Sequence, residues 1–190
     1  MTEQIDRIES LSQKGIKPVL VNELGYNNLF YSQSNQTQIL ILICAVVILF
    51  SSVFSIEKGS NMLILNHCSQ NGRKQLYFKK IFTVIPKTFI LTLVSYLSLI
   101  LQNNYLYKLG NMNANIHNLE CLQEINLNLS IAEYVILNFI FEFIFVTVVG
   151  LIITSLSAFM PQLAVIIISA CLFILPSALY MIDIYSAKEI

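Results

Sequence analysis

Few side chains in this chain could do chemistry. Glu142 is an acid within a long apolar run, IAEYVILNFIFEFIFVTVVGLIITSLSAF. A carboxylate at that depth is costly unless it is protonated, paired or turned towards a wet cavity, so an intramembrane acid is a functional candidate by default. Two structural roles compete with that reading: a protonated carboxyl bonded to Asn138 or to a Ser or Thr, or a polar group that specifies helix packing. Asp183, at the far end of a later apolar run, reads as a solvated cap. His67 and Cys68 are adjacent, but no second pair exists and neighbouring positions on a helix diverge by about 100°, which argues against a zinc site. Cys44, Cys68, Cys121 and Cys171 form no CxxC, and Cys44 and Cys171 sit in apolar runs where thiols act as small hydrophobes. GxxxxGK[ST], HExxH and GxSxG are all missing, so the chain has no P-loop of its own. An intramembrane enzyme would need a second convergent polar group, and Glu142 stands alone. The expectation is no catalytic, cofactor-binding or metal-binding residue in this chain.

The elements that must hold these groups follow from composition. Of 190 residues, 56% are hydrophobic and 12% charged, with a mean hydropathy of +0.69 and a formal net charge of zero. Soluble domains carry about 25% charged residues. Half that amount cannot solvate a globule of this size, which excludes an ordinary soluble enzyme, and zero net charge gives no argument for nucleic-acid binding. The apolar residues are blocked into runs of spanning length, since about 20 helical residues cover a bilayer core. The chain therefore reads as an all-α polytopic membrane protein with four spans, at about 37–56, 81–101, 133–158 and 162–182. Pro86 and Lys87 fall near the start of the second span; proline is tolerated in a helix's first turn and a lysine near a helix end can snorkel. Pro176 should kink the fourth near its end. A transmembrane domain thus covers 37–183, preceded by a juxtamembrane segment over 1–36 and followed by a tail over 184–190.

The first 36 residues are too small and polar to build a core of their own. Ile5, Ile8 and Leu11 suggest an amphipathic helix over Thr2–Gln13 that Gly15 ends, and PVLVNEL reads as a short β-like run. Between the second and third spans, Leu119, Leu122 and Ile125 hint at a short interfacial helix. Ser51, Ser52 and Ser55, with Thr147, Gly150, Thr154, Ser155 and Ser157, offer small faces for close helix packing, or line a substrate path.

Orientation follows from the positive-inside rule. Lys58, Arg73, Lys74, Lys79 and Lys80 lie between the first two spans, whereas Lys108 is the single cation between the second and third. Residues 57–80 should be cytoplasmic, 102–132 exterior, and both chain ends exterior. Tyr105, Tyr107, Tyr134, Tyr180 and Tyr185 then fall near span ends as an aromatic belt. The polar amino-terminal segment must cross the membrane, a difficulty that a further span upstream would remove.

The most informative stretch is FSIEKGSNMLILNHCSQNGRKQLYFKKI, from Phe54 to Ile81. Glu57 and Gly59 mark the exit from the first span. NMLILN is apolar at helical spacing, a polar break follows at Ser69–Gly72, and the basic RKQLYFKK leads into the second span. This describes a short helix on the cytoplasmic interface, with Met62, Leu63 and Leu65 inserted and charges facing water. The stretch resembles the permease subunits of ABC-2 type (type V exporter) ABC transporters. These show an F-S-x-E-x-x-x-G-like exit, a leucine-rich stretch, and then G-R-x-x-L-x-x-x-K. The matching residues are Phe54, Ser55, Glu57, Leu63, Leu65, Gly72, Arg73, Leu76 and Lys80, and Gly59 stands closer to the glutamate than the commonest family spacing. LVNELGYNNLF is similar to the end of the family's first exterior loop.

The resemblance implies a permease-like subunit of an ATP-driven exporter in a multi-pass (bacterial plasma) cell membrane. It implies a second permease chain, surrounding lipid, and a cytosolic ABC ATPase that carries the ATP. Glu57, Gly59, Leu63, Leu65, Gly72, Arg73, Leu76 and Lys80 would form the coupling region. Closure of the ATPases would push this region and tilt the first two spans against the last two. The four spans correspond to the second to fifth of the family's usual six, as expected of a truncated paralogue, a fragment or a subunit completed by another chain. The alternative function is a non-transporting membrane protein, such as a self-immunity or sensor subunit.

Overall fold

The structure, a computed structural model, describes residues 21–30, 33–59, 72–119, 122, 128–176 and 178. In chain order these form α1 (Glu23–Phe30), α2 (Gln33–Gly59), α3 (Gly72–Tyr107), a 3-10 turn (Ile116–Asn118), α4 (Ile131–Phe159) and α5 (Gln162–Ser169), which runs into a π turn (Ala170–Ile174). Extended pairing among the described residues is limited to the bridge of Asn115 with Ser130, in keeping with the all-α expectation. Three helical stretches are long and apolar enough to cross a membrane: Glu23–Phe54, Phe78–Tyr107 and Ile131–Phe159. They overlap the first three expected spans. The fourth expected span, 162–182, is described as a shorter apolar helix over Gln162–Ile174.

Two helix boundaries differ from expectation. α3 begins at Gly72, so Pro86 lies inside the helix rather than in its first turn. Lys, Arg, Gln and Leu propagate helix well, and RKQLYFKK continues without a break into the apolar run. At 36 residues α3 is about 54 Å long, well over the roughly 30 Å of a hydrocarbon core. In the last helix, α geometry yields before Pro176: the Leu175 N–H bonds to the Ala170 carbonyl, five residues back. α4 starts with a capping box. The Ser130 N–H donates to Glu133 Oε2 at 2.8 Å, and the Glu133 N–H donates to Ser130 Oγ at 3.3 Å.

The chain divides into two compact units, the first formed by residues 1–35 with 97–140 and the second by 36–96 with 141–190. In the first, Tyr26 and Leu29 of α1 share a buried cluster with Leu99, Ala114, Ile116, Leu119, Leu122 and Ile131. Tyr26 is fully buried and its hydroxyl donates to the Gly110 carbonyl at 2.8 Å. Asn22 Nδ2 donates to the Tyr107 carbonyl. Gly25 needs to be glycine, because a Cβ there would stand 2.9 Å from both Leu109 and Tyr107. Phe30 meets Tyr134 edge-to-face at 4.9 Å, so this tyrosine packs on a neighbouring ring.

One sequence expectation is corrected here. The β-like PVLVNEL is helical from Glu23, and Pro18–Leu20 lie outside the described residues. Leu119 and Leu122 are fully buried in the core of the first unit. Residues 120–121 and 123–127, Ile125 included, carry most of the expected interfacial helix and lie outside the described residues.

The second unit is a helix bundle. Leu42, Ile43, Val46, Val47 and Phe50 of α2 pack with Val84 of α3, Val146, Val149 and Ile153 of α4, and Val165 of α5. Its outer faces are also apolar, with Ile41, Ile48, Phe82, Ile90, Ile144, Phe145 and Leu163 exposed. A bundle that is hydrophobic all round is what a lipid environment requires.

Candidate functional site

The bundle is held by a few polar ties, and the densest lies where α2 and α3 approach the Phe54–Lys80 stretch. Ser157 of α4 is fully buried. Its Oγ accepts from the Phe54 N–H at 3.1 Å, and its hydroxyl donates to the Ser51 carbonyl at 2.9 Å. On the α3 side, Lys80 Nζ donates to the Val53 carbonyl at 2.8 Å and sits 4.4 Å above the Phe54 ring. A charged donor on a carbonyl, together with a cation over an aromatic face, fixes the start of α3 against α2. Three helices thus converge on residues 51–54.

Further along the bundle, Thr88 of α3 and Thr147 of α4 are 3.0 Å apart, oxygen to oxygen. Thr88 is buried and also donates back to carbonyls of its own helix. Beside it, Gly150 allows α2, α3 and α4 to meet. A Cβ on it would lie 3.2 Å from Val84 Cγ1, 3.3 Å from Thr88 Cγ2 and 3.5 Å from Phe50 Cε2. Phe89 and Phe143 form an edge-to-face pair at 5.5 Å. Nearer the other end of α2, Gln38 Nε2 donates to Ser95 Oγ at 2.7 Å.

Of the residues expected to couple to an ATPase, Glu57 and Gly59 fall in the last turn of α2, while Gly72, Arg73 and Leu76 fall in the first turns of α3. Lys80 is brought against Phe54, another residue of the same motif. Leu63 and Leu65, the expected interfacial helix around them and the adjacent His67 and Cys68 lie outside the described residues. Glu142 lies within α4 and is half-buried. Its Oε1 is buried and has no hydrogen-bond partner among the described residues, so that oxygen makes no expected bond to an amide or hydroxyl. Gln36 Oε1 and Gln38 Oε1 are orphaned in the same way. The sequence reading passed over both glutamines because they sit at the polar edge of an apolar run. It had Ser51, Ser157, Thr147 and Gly150 as small-residue faces, but not their partners.

Among the described residues no group of three or more His, Cys, Asp or Glu side chains converges as a metal site. At the Ser157–Lys80 node, Ser157 Oγ is bonded to the backbone at Phe54 and Ser51, and Lys80 Nζ to the Val53 carbonyl. What this arrangement can do is mechanical: it ties the backbones of α2, α3 and α4 at one level. Comparison with family models, with curated proteins and with solved structures returns no match for this chain.

Proposed function

We propose that the chain is the membrane-spanning, permease-like subunit of an ATP-driven ABC-2 exporter. It would work with a second permease chain and take its motion from a cytosolic ATPase docked on the Glu57–Lys80 stretch. The observation that supports this reading most is the continuity of α3. Gly72, Arg73, Leu76 and Lys80 are the first turns of a helix that continues to Tyr107, and Lys80 fastens that helix to the backbone of α2. A force applied at Arg73 would therefore act on the same helix that continues into the apolar run. The exit motif and the basic approach to α3 supply the docking chemistry, and ATP belongs to the partner.

The test is co-purification from membranes. Bait protein should recover a P-loop ATPase identified by photo-crosslinking to an azido-ATP probe. Replacing Glu57, Leu63 and Arg73 together by alanine should abolish that recovery while the bait still extracts at its normal level. Undiminished recovery would refute docking at this stretch. In parallel, with Cys68 retained as the single cysteine, an impermeant maleimide added to intact cells should leave it unmodified. Labelling from outside would place the stretch on the wrong side for any cytosolic motor.

A further inference from the structure

α3 carries its charge in its first half, and all of it has one sign. Its ionic residues are Arg73, Lys74, Lys79, Lys80 and Lys87, and it contains no Asp or Glu. The membrane-length stretch that includes most of α2 ends at Phe54, and that of α3 begins at Phe78. The bond from Lys80 Nζ to the Val53 carbonyl sets these two ends at one level, which marks the edge of the hydrocarbon layer.

Lys80 turns to α2, but its neighbours face away from the bundle. Two adjoining rows of α3, each spaced by four residues, are exposed throughout: Phe78, Phe82 and Pro86 in one, Lys79, Thr83 and Lys87 in the other. Thr83 is short, and its hydroxyl donates back to the Lys80 carbonyl at 2.7 Å, so nothing long stands between the two lysines of that row. Ile90 and Val94 carry the first row further into the apolar part of the helix and are exposed as well.

Lys79 lies at the edge of the layer, whereas Lys87 lies about 12 Å deeper at the helical rise. An ammonium at that depth on a lipid-facing surface is costly unless it reaches water or a counter-charge. Its Cβ is tilted towards the start of the helix, so its stem leads back over Thr83 towards Lys79. α3 offers no carboxylate there, and a phosphate at the edge of the layer supplies the missing anion. We propose that these outward rows hold an anionic glycerophospholipid, with its phosphate between Lys79 and Lys87 and an acyl chain along Phe82, Ile90 and Val94. Paired cations favour a lipid of net negative charge over a zwitterionic one, whose own ammonium they repel. The assignment needs only a membrane around the bundle and is independent of the export reading.

The experiment is native mass spectrometry of the full chain in detergent, given equimolar phosphatidylglycerol and phosphatidylcholine of matched chains. The unaltered chain should retain phosphatidylglycerol in preference. A lysine beside an anionic headgroup is worth about fivefold in affinity, so Lys79→Gln and Lys87→Gln should each lower the preference by about that factor. Lys108→Gln, beyond the far end of α3, should leave it unchanged, and so should an excess of glycerol phosphate. Equal retention of the two lipids by the unaltered chain overturns the site, as does an undiminished preference in the Lys79→Gln Lys87→Gln double variant. An equal loss from Lys108→Gln would reduce the effect to overall charge, and competition by glycerol phosphate would mean a site for soluble phosphate. Either result overturns the lipid assignment.

Discussion

Replacing Gly150 by alanine sets two effects of opposite sign against each other. In a helix interior alanine is favoured over glycine by about 1 kcal/mol, so propensity alone predicts a more stable protein. The structure predicts the reverse. The new methyl would stand 3.2 Å from Val84 Cγ1 and 3.3 Å from Thr88 Cγ2, inside the 3.4 Å at which ordinary contact begins. Neither neighbour can swing aside. Both are β-branched and stiff in a helix, and the Thr88 hydroxyl is held by Val84, Ile85 and Thr147. α3 and α4 must therefore separate by a few tenths of an ångström, and overpacking of this kind costs about 1–3 kcal/mol. The net expectation is a loss of about 1 kcal/mol relative to the natural chain, read by reversible unfolding in mixed micelles or by steric trapping in bicelles. Adding Val84→Ala should relieve the clash, leaving the double variant at least about 0.5 kcal/mol more stable than additivity predicts. A Gly150→Ala protein as stable as the original, or more so, would refute close three-helix packing at this glycine.

Other perturbations test other contacts. Ser157→Ala removes one acceptor and one donor between α4 and α2 and should cost about 1 kcal/mol, given the modest worth of interhelical hydrogen bonds in membranes; no change by steric trapping would mean that the tie is not formed. Lys80→Met keeps the length of the side chain but loses both the bond to Val53 and the contact with Phe54, for an expected loss of about 1–2 kcal/mol. Lys80→Arg should recover most of that loss, and equal stability of the Met and Arg variants would argue against the contact. Tyr26→Phe leaves the Gly110 carbonyl without its donor, at about 1 kcal/mol. Amide exchange should then quicken at Ala114, Ile116 and Leu119 while the amides around Val46 and Val149 keep their protection.

The apolar runs were legible because hydropathy acts over a whole helix, and 20 or so residues average out local detail. Boundaries were less so. The start of α3 was hidden because a charged stretch reads as a loop, although Arg73, Lys74, Gln75 and Leu76 are all good helix formers. α1 was missed for a different reason. GYNNLF has weak helical propensity, and its burial depends on Gly110, Ile116 and Leu119, more than 80 residues away in sequence. For the candidate site, the sequence identifies Ser51, Ser157 and Gly150 as small and Glu142 as costly. It carries no signal that Ser157 meets the α2 backbone at Ser51 and Phe54. Those relations depend on the relative register of α2 and α4, which a pattern within one helix does not encode.

That register also bears on how a force would travel. Helices in lipid gain little hydrophobic drive to associate, so close approach at small residues and hydrogen bonds must hold them. Here the ties do not divide the bundle into α2 with α3 on one side and α4 with α5 on the other. Ser157 binds α4 to α2, Lys80 binds α3 to α2, and Gly150 sits against residues of both. Tilting the first two expected spans against the last two would break both Ser157 bonds and open the Gly150 contact. A push at residues 57–80 should instead move α2, α3 and α4 together. On that account Ser157→Ala would loosen the transmitting body and lower any ATP-driven activity. If the tilt were the working stroke, removing the same tie would raise it. The sign of that one effect separates the two mechanics.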